Sequence, residues 1–262
     1  MSKSNFIKKI LSGLLLIFLC SCVPSYDYSH IRVTKVIDGD TVKLENGETL
    51  RYIGLDTPEI KIKQNNRFIY SPQPFALEAK KLNEKLVKNK IVRIEFDVEK
   101  IDRYKRLLGY CFIENTLINA KLIEEGFAVT YTIPPNVKYV DTLIKAQKNA
   151  RLKLKGMWGA YETITAKEAI NHVNQIRTVK GSVSGSRRTK NGILLTFETS
   201  QNSPFKVMIF NNSLKYFHQK NINPADFYKQ KSIEVTGRIR RYKQTAQIIV
   251  SSPEEISMPD AK

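Results

Sequence analysis

Two short acidic runs stand near the start of the chain, Asp38-Gly39-Asp40-Thr41 and Leu55-Asp56-Thr57-Pro58-Glu59. Carboxylates joined by a backbone carbonyl make an oxygen-rich set that suits a hard cation such as Ca²⁺. An EF-hand is excluded, because a loop counted from Asp38 puts Val42 and Lys43 where an oxygen ligand and a glycine are required. Taken singly, either run also reads as an ordinary acidic turn. Arg51 lies five residues before Asp56. On an uninterrupted strand that odd separation puts the two side chains on opposite faces, unless a bulge or strand end intervenes. Farther on, Asp102-Arg103-Tyr104-Lys105-Arg106 presents cations just before an apolar run. Arginine suits a phosphate because its planar fork donates paired hydrogen bonds and stays charged. Acids for a cation, arginines for developing charge and a carboxylate for a water are together what phosphodiester hydrolysis requires.

Such a set needs a rigid frame. Strand-like runs at 31–37, 41–45 and 48–55 are punctuated by Asp38-Gly39 and Asn46-Gly47, dipeptides that favour tight turns. Residues 60–70 are polar and irregular and read as a mobile loop. Ser71-Pro72 predicts a helix start, followed by Phe75, Ala79, Leu82 and Leu86 at helical spacing. Strands are predicted from Ile91 to Val98 and from Leu107 to Ile113. Helices are predicted over 117–125 and 138–155, ending at Gly126 and Gly156. The sum is a mainly β unit with helices (α+β), a small barrel decorated with helices. Farther along, strands at 179–183, 193–197, 205–210, 233–239 and 247–250, with a helical insert near 212–229, predict a second small β-barrel.

The order Val36-Ile37-Asp38-Gly39-Asp40-Thr41-Val42, Arg51, Asp56-Thr57-Pro58-Glu59 and Asp102-Arg103-Tyr104-Lys105-Arg106 closely resembles the staphylococcal nuclease-like (thermonuclease) family. The resemblance covers about residues 31–158, through Met157-Trp158. It implies a five-stranded OB-type barrel with three helices. Carried over residue by residue, it implies that Asp40, Asp56 and the Thr57 carbonyl bind Ca²⁺, with Asp38 in support. Glu59 would orient or deprotonate the attacking water, and Arg51 and Arg106 would hold the phosphate. Arg103, Tyr104 and Tyr131 would be further substrate contacts. Family products end in 3′-phosphate and 5′-hydroxyl, from both DNA and RNA. The chain departs from the family pattern at Lys105, where glycine is common, at Ile133, and between Asn65 and Gln73.

The second region resembles an OB-fold nucleic-acid-binding domain, chiefly at Gly181-x-Val183, 205–210 and 235–239. Such folds bind single strands through a basic groove and stacking aromatics. Arg187, Arg188, Lys190, Arg238, Arg240, Arg241, Tyr242 and Lys243 are its candidate contacts, although 238–243 also reads as a solvated hairpin. Phe197, Phe205 and Tyr228 read as core.

A formal net charge of +18 favours a polyanionic partner, whether nucleic acid, anionic membrane or acidic polysaccharide. Three scattered histidines, His30, His172 and His218, have no metal-binding or catalytic spacing. At the N-terminus, Lys3, Lys8 and Lys9 precede an apolar run from Ile10 to Cys20, too short to span a bilayer, in the layout of a secretory signal. Leu19-Cys20-Ser21-Cys22 resembles a bacterial lipobox, which implies cleavage before Cys22 and a lipid on its thiol. An ordinary signal-peptidase site is the alternative. Loss of residues 1–21, with three lysines and no acid, leaves a side-chain charge of about +15. Cys111 then remains as the one free thiol, a small buried residue. Val23 after Cys22, where an inner-membrane lipoprotein often has Asp, leans the location toward an outer surface of a bacterial envelope.

The expected organisation is a signal over 1–21, a tether over 22–30, a nuclease-like domain over 31–160, a linker over 161–175, a nucleic-acid-binding domain over 176–256 and a tail over 257–262. The expected cofactor is Ca²⁺. The expected partners are DNA, RNA or both, and a membrane through the lipid anchor, with the chain a monomer. A catalytically silent nucleic-acid-binding module is the alternative function, weakened because the acids and arginines are all present.

Overall fold

The computed structural model describes residues 26–199 and 204–259. The expected signal and Cys22 lie outside the described residues. In β1 (Ile31–Val36) Ile31 and Val33 alternate inward, and an irregularity between Val33 and Lys35 shifts the register so that Val36 is buried as well. β2 (Thr41–Leu44) and β3 (Thr49–Tyr52) follow, turned by Asn46-Gly47 with Gly47 at φ +86°. β4 (Gly54–Asp56) comes after a break at Ile53. Next are β5 (Lys61–Gln64), β6 (Arg67–Tyr70) and α1 (Ala76–Val87). β7 (Ile91–Ile101), β8 (Leu107–Ile113), β9 (Thr116–Leu117), α2 (Ile118–Glu124), β10 (Val129–Tyr131), α3 (Val140–Leu152) and the short α4 (Met157–Ala160) complete the first unit.

β1 pairs antiparallel with β2 and β7, β2 with β3, and β7 with β8. β8 then runs parallel to β3 and closes five strands into a barrel. Val33, Leu44, Leu50, Tyr52, Ile118 and Leu122 fill its interior and the base of the helices. Each such buried aliphatic side chain contributes about 2 kcal/mol.

Two expectations are corrected here. Residues 60–70 are not an irregular loop: β5 and β6 form an antiparallel hairpin around Asn65-Asn66, both at positive φ. That is the geometry a two-residue turn needs, and asparagine tolerates it. Helix α1 does not start at Ser71-Pro72 but at Ala76, with Phe75 left-handed at φ 68°. The segment before it is held elsewhere, because Ser71 N–H donates to the Ile60 carbonyl and Gln73 N–H to that of Glu59.

The second unit contains β11 (Ile164–Thr165), β12 (Ile176–Thr189), β13 (Gly192–Phe197), β14 (Phe205–Phe210), α5 (Leu214–His218), α6 (Pro224–Phe227), β15 (Ser232–Arg238), β16 (Arg240–Tyr242), β17 (Thr245–Val250) and β18 (Ile256–Ser257). β12 pairs antiparallel with β13 and β15, β13 with β14, and β16 with β17, while β14 and β17 are parallel. This matches the pairing order of the first barrel, with β15 and β16, separated only by Ile239, together in the place of β7. Phe197, Phe205 and Tyr228 are buried in its core, as their pattern predicts. The segment 161–175, expected as a linker, is built into the second unit: β11 lies parallel to β12, and Ala166 and Ala169 are buried in the second core.

The two units pack together through Val129 and Met157 of the first and Ile176 of the second, flanked by Phe75, Trp158 and Tyr161. Trp158 is thus a packing residue. The Arg177 guanidinium carbon stands 3.7 Å from the Tyr161 ring centroid, and Arg151 pairs with Glu234 at 3.1 Å.

Candidate active site

The first acidic run is the turn from β1 to β2. The N–H groups of Ile37 and Asp38 both donate to the Thr41 carbonyl, at 2.9 and 3.3 Å, closing it tightly. Gly39 is required by close approach: a Cβ there would lie 2.8 Å from both Ala79 Cβ and Thr57 Cβ. The turn therefore nests between α1 and the second acidic run. Asn83, fully buried on α1, holds it from below by donating its Nδ2 to the Gly39 carbonyl at 3.2 Å. Tyr52 Oη donates in turn to Asn83 Oδ1 at 3.2 Å.

The second run reaches the first because β3 does not continue into β4. Gly54 sits at φ +82°, beside a break that resets the alternation of side chains. Arg51 and Asp56, which simple periodicity would separate, consequently face each other. Arg51 Nη1 donates to Asp40 Oδ1 at 2.5 Å, and its Nη2 lies 3.5 Å from Asp56 Oδ1. Asp40, Asp56 and Thr57 are all buried. Burial, and then the neighbouring Asp40, push the Asp38 carboxyl up to about 8. Burial also raises Glu59, against the pull of Arg238 and with the push of Asp40 and Asp56.

A residue from the second unit completes the cluster. The Arg238 Nε donates to Asp56 Oδ2 at 2.8 Å and its Nη2 to Asp56 Oδ1 at 3.1 Å and the Thr57 carbonyl at 2.7 Å. Its Nη1 donates to Gln73 Oε1 at 3.0 Å and the Asn174 carbonyl at 2.8 Å. Glu59 Oε1 is 3.7 Å from Nη2. Burial alone would push the Asp56 carboxyl up; Arg238 and then Arg51 reverse this and hold it below the ordinary range. Arg238 is therefore not part of an exposed basic groove with its neighbours. It ends β15 where that strand meets β10, so its side chain turns into the first unit. Arg187, Arg188, Lys190, Arg240, Arg241, Tyr242 and Lys243 are exposed.

The remaining sequence-derived site residues come from the turn before β8, which runs beside β3, and from β10, which pairs with β4. Arg106 is one residue before Leu107, which pairs with Leu50, the neighbour of Arg51. Its guanidinium is held by Asp102, with Nε donating to Oδ2 at 2.8 Å. Tyr104 is exposed, with the Arg103 and Arg106 guanidinium carbons 4.8 and 5.4 Å from its ring centroid. Tyr131 ends β10, with the Arg240 guanidinium 5.9 Å from its ring. Ile133 is exposed, and Cys111 is buried and free.

Sequence reasoning missed Asn83, Gln73 and the seat of Arg238. Asn83 left a trace, a polar side chain where helical spacing from Ala76 and Ala79 calls for an apolar one. Arg238 left none, since the contact spans 182 residues.

Among the described residues, no three acidic, His or Cys side chains converge as a ready cation cage. The donor set is instead two carboxylates and a carbonyl. It fits a hard cation on one further ground: Asp40 Oδ2 is buried with no hydrogen-bond partner. A buried carboxylate oxygen without a donor is costly unless a cation faces it.

The family described as Staphylococcal nuclease homologue matches residues 49–160. The thermonuclease of Staphylococcus hyicus is 32% identical over 171 residues, covering 58% of this chain and 98% of that protein. That of Staphylococcus intermedius is 34% identical over 170 residues, with the same shares covered. The endonuclease YncB of Bacillus subtilis (strain 168) is 34% identical over 141 residues, covering 52% of this chain and 64% of that protein. With its closed barrel and near-complete span of two thermonucleases, the chain belongs to the staphylococcal nuclease-like family.

Proposed function

We propose that the chain is a calcium-dependent nuclease that hydrolyses phosphodiester bonds of DNA, RNA or both. The observation that carries this reading is the convergence of Asp40, Asp56 and Arg51 from three separate strands and loops around one buried point, with the half-buried Glu59 beside it, 3.7 Å from the Arg238 that also holds Asp56. Asp40, Asp56 and the Thr57 carbonyl would hold the cation, with Asp38 in support. When bound, it supplies positive charge to the non-bridging oxygens of the scissile phosphate.

The chain's own residues do the rest. Arg51, clamped by Asp40, is pre-set to donate to an equatorial phosphate oxygen as negative charge grows there. Arg106, fixed by Asp102, supplies a second guanidinium to the same group. Glu59, whose carboxyl burial raises above its ordinary value, takes a proton from the attacking water. The hydroxide oxygen bonds to phosphorus as the bond to the 5′-oxygen breaks; the leaving 5′-oxygen takes a proton from solvent water, and Glu59 returns its own proton to solvent. The products are a 3′-phosphate and a 5′-hydroxyl. Arg103, Tyr104 and Tyr131 contact the flanking nucleotide.

The chain acts as a monomer outside the cytoplasm of a bacterium, anchored through lipid on Cys22. The signal-like N-terminus and the lipobox-like Leu19-Cys20-Ser21-Cys22 support this placement. The second unit is an OB-type module that binds single strands. Its repeated pairing order and its exposed Arg187, Arg188 and Lys190 support that reading.

End-group analysis tests the reaction. A 5′-hydroxyl product accepts labelled phosphate from a polynucleotide kinase without prior phosphatase treatment, and Glu59→Gln should slow its appearance about 100-fold or more. Products carrying 5′-phosphate would overturn this direction of cleavage.

A further inference from the structure

Arg238 has five N–H donors, and all five are used within the site: two on Asp56, one on the Thr57 carbonyl, one on Gln73 and one on the Asn174 carbonyl. Its side chain is only 10% exposed. A surface arginine that brushes a neighbouring unit by chance does not satisfy every donor. This is a built seat, and both units build it. The first supplies Asp56, Thr57 and Gln73, while Asn174 comes from the segment packed on the second core. Gln73 Nε2 also donates to the Asn174 carbonyl at 2.6 Å, tying the walls of the seat together.

The seat overlaps the proposed cation site. Arg238 takes both Asp56 oxygens and the Thr57 carbonyl, which are three of the oxygens assigned above to Ca²⁺. A carboxylate flanked by a bidentate guanidinium has no lone pair directed at a cation on the same side, and like charges repel at this range. Asp40, by contrast, stays half free, with Oδ1 on Arg51 and Oδ2 without a partner.

We propose that Arg238 is an internal competitor for the cation, a guanidinium plug supplied by the second unit that must leave Asp56 and Thr57 before Ca²⁺ binds them. The proposal rests on the cation-site reading given above. It makes the second unit a regulator of the first. Whatever holds β15 against β10 raises the Ca²⁺ concentration at which the enzyme loads, and Ca²⁺ loosens the Arg238 seat by the same factor.

The test is calorimetric titration of Ca²⁺ alone into protein spanning residues 23–262, without nucleic acid. Arg238→Gln should bind Ca²⁺ at least tenfold more tightly than the parent. Arg238→Lys, which keeps the charge but loses the fork, should fall between, and it carries the test should Arg238→Gln not fold. Arg240→Gln removes a neighbouring charge that makes no hydrogen bond to Asp56 and should shift affinity less than threefold. Asp56→Ala should abolish binding in both the parent and the Arg238→Gln background. If Asp56→Ala abolishes binding but neither Arg238 variant tightens it, the plug is overturned and the cation site stands. If Arg240→Gln tightens binding as much as Arg238→Gln, the effect is one of general charge and the plug is again overturned. If Asp56→Ala leaves binding unchanged, the cation site itself fails, and the plug with it.

Discussion

Arg51 Nη1 lies 2.5 Å from Asp40 Oδ1, and Thr41 pairs directly with Arg51 across β2 and β3. The arginine expected to meet the phosphate is thus also the partner of an acid expected to meet the cation. Arg51→Ala leaves Asp40 buried without its ion pair, with only the Thr41 hydroxyl still donating to Oδ1 at 2.9 Å. In excess chelator that variant should lose about 3 kcal/mol of stability, the scale for breaking a buried pair from one side. Saturating Ca²⁺ should restore part of the loss, because a ligand bound only by the folded state stabilises it. Urea melts with and without Ca²⁺ check both halves. Equal losses in the two conditions would mean that no cation takes over the neutralisation of Asp40.

Gly39 allows the acidic turn to nest against α1 and Thr57. Gly39→Ala should destabilise the protein by about 1 to 3 kcal/mol, the usual penalty for overpacking. It should also weaken Ca²⁺ binding, since Asp38 and Asp40 flank the displaced atom. Thermal melts and Ca²⁺ titration of the same variant measure the two effects. A neutral result would show that the contact at 2.8 Å relaxes freely.

Much of this frame was legible in sequence because it depends on short-range rules. Asn46-Gly47 marked a hairpin, Gly126 marked the end of α2, and a strand-like run marked β1; α3, expected to reach Gly156, stops at Leu152, where Leu154 turns left-handed. The site was less so. Arg51 and Asp56 meet only because the chain breaks at Ile53 and Gly54 turns left-handed, which a parity argument cannot foresee. The β5–β6 hairpin was hidden because Asn65-Asn66 lacks the glycine that usually signals such a turn, and because Phe68, Ile69 and Tyr70 of β6 run consecutively and stay exposed instead of alternating into a core. Arg238 reaches Asp56 through the docking of one barrel on another, which no local pattern encodes.

Lys105 occupies a left-handed position at φ 62°, following a turn in which its N–H donates to the Asp102 carbonyl at 3.0 Å. Glycine suits this position, as the usual family pattern has it. Lys105→Gly should stabilise the protein by about 0.5 to 1 kcal/mol, the strain relieved less the added freedom of the unfolded chain. Chemical denaturation measures it. A loss of stability would show that the Lys105 side chain contributes more than its backbone strain removes.

Glu95 on β7 gathers the entry to α3. Burial tends to raise its carboxyl, but hydrogen bonds from Lys138, Tyr139 and Arg93 outweigh this and hold it at about 2, below its ordinary 4.5. A depressed carboxyl stabilises the fold fully above its unfolded value and loses that stabilisation as pH falls through its folded value. The window is therefore pH 4.5 down to 2. Across it the parent should lose about 1 kcal/mol more than Glu95→Gln, once solvent screening is allowed for. Parallel acid titrations of stability check this, and identical slopes would mean that the cluster contributes nothing.

Cleavage of DNA and RNA by protein spanning residues 23–262, in Ca²⁺ or in excess chelator, tests the central claim most directly. Asp40→Ala and Arg51→Ala run alongside the parent, each first shown to be folded under the assay conditions. Cutting should require Ca²⁺ and fall about 100-fold or more in both variants. Folded parent protein that binds either nucleic acid without cutting it, or cuts equally well in chelator, would contradict the account.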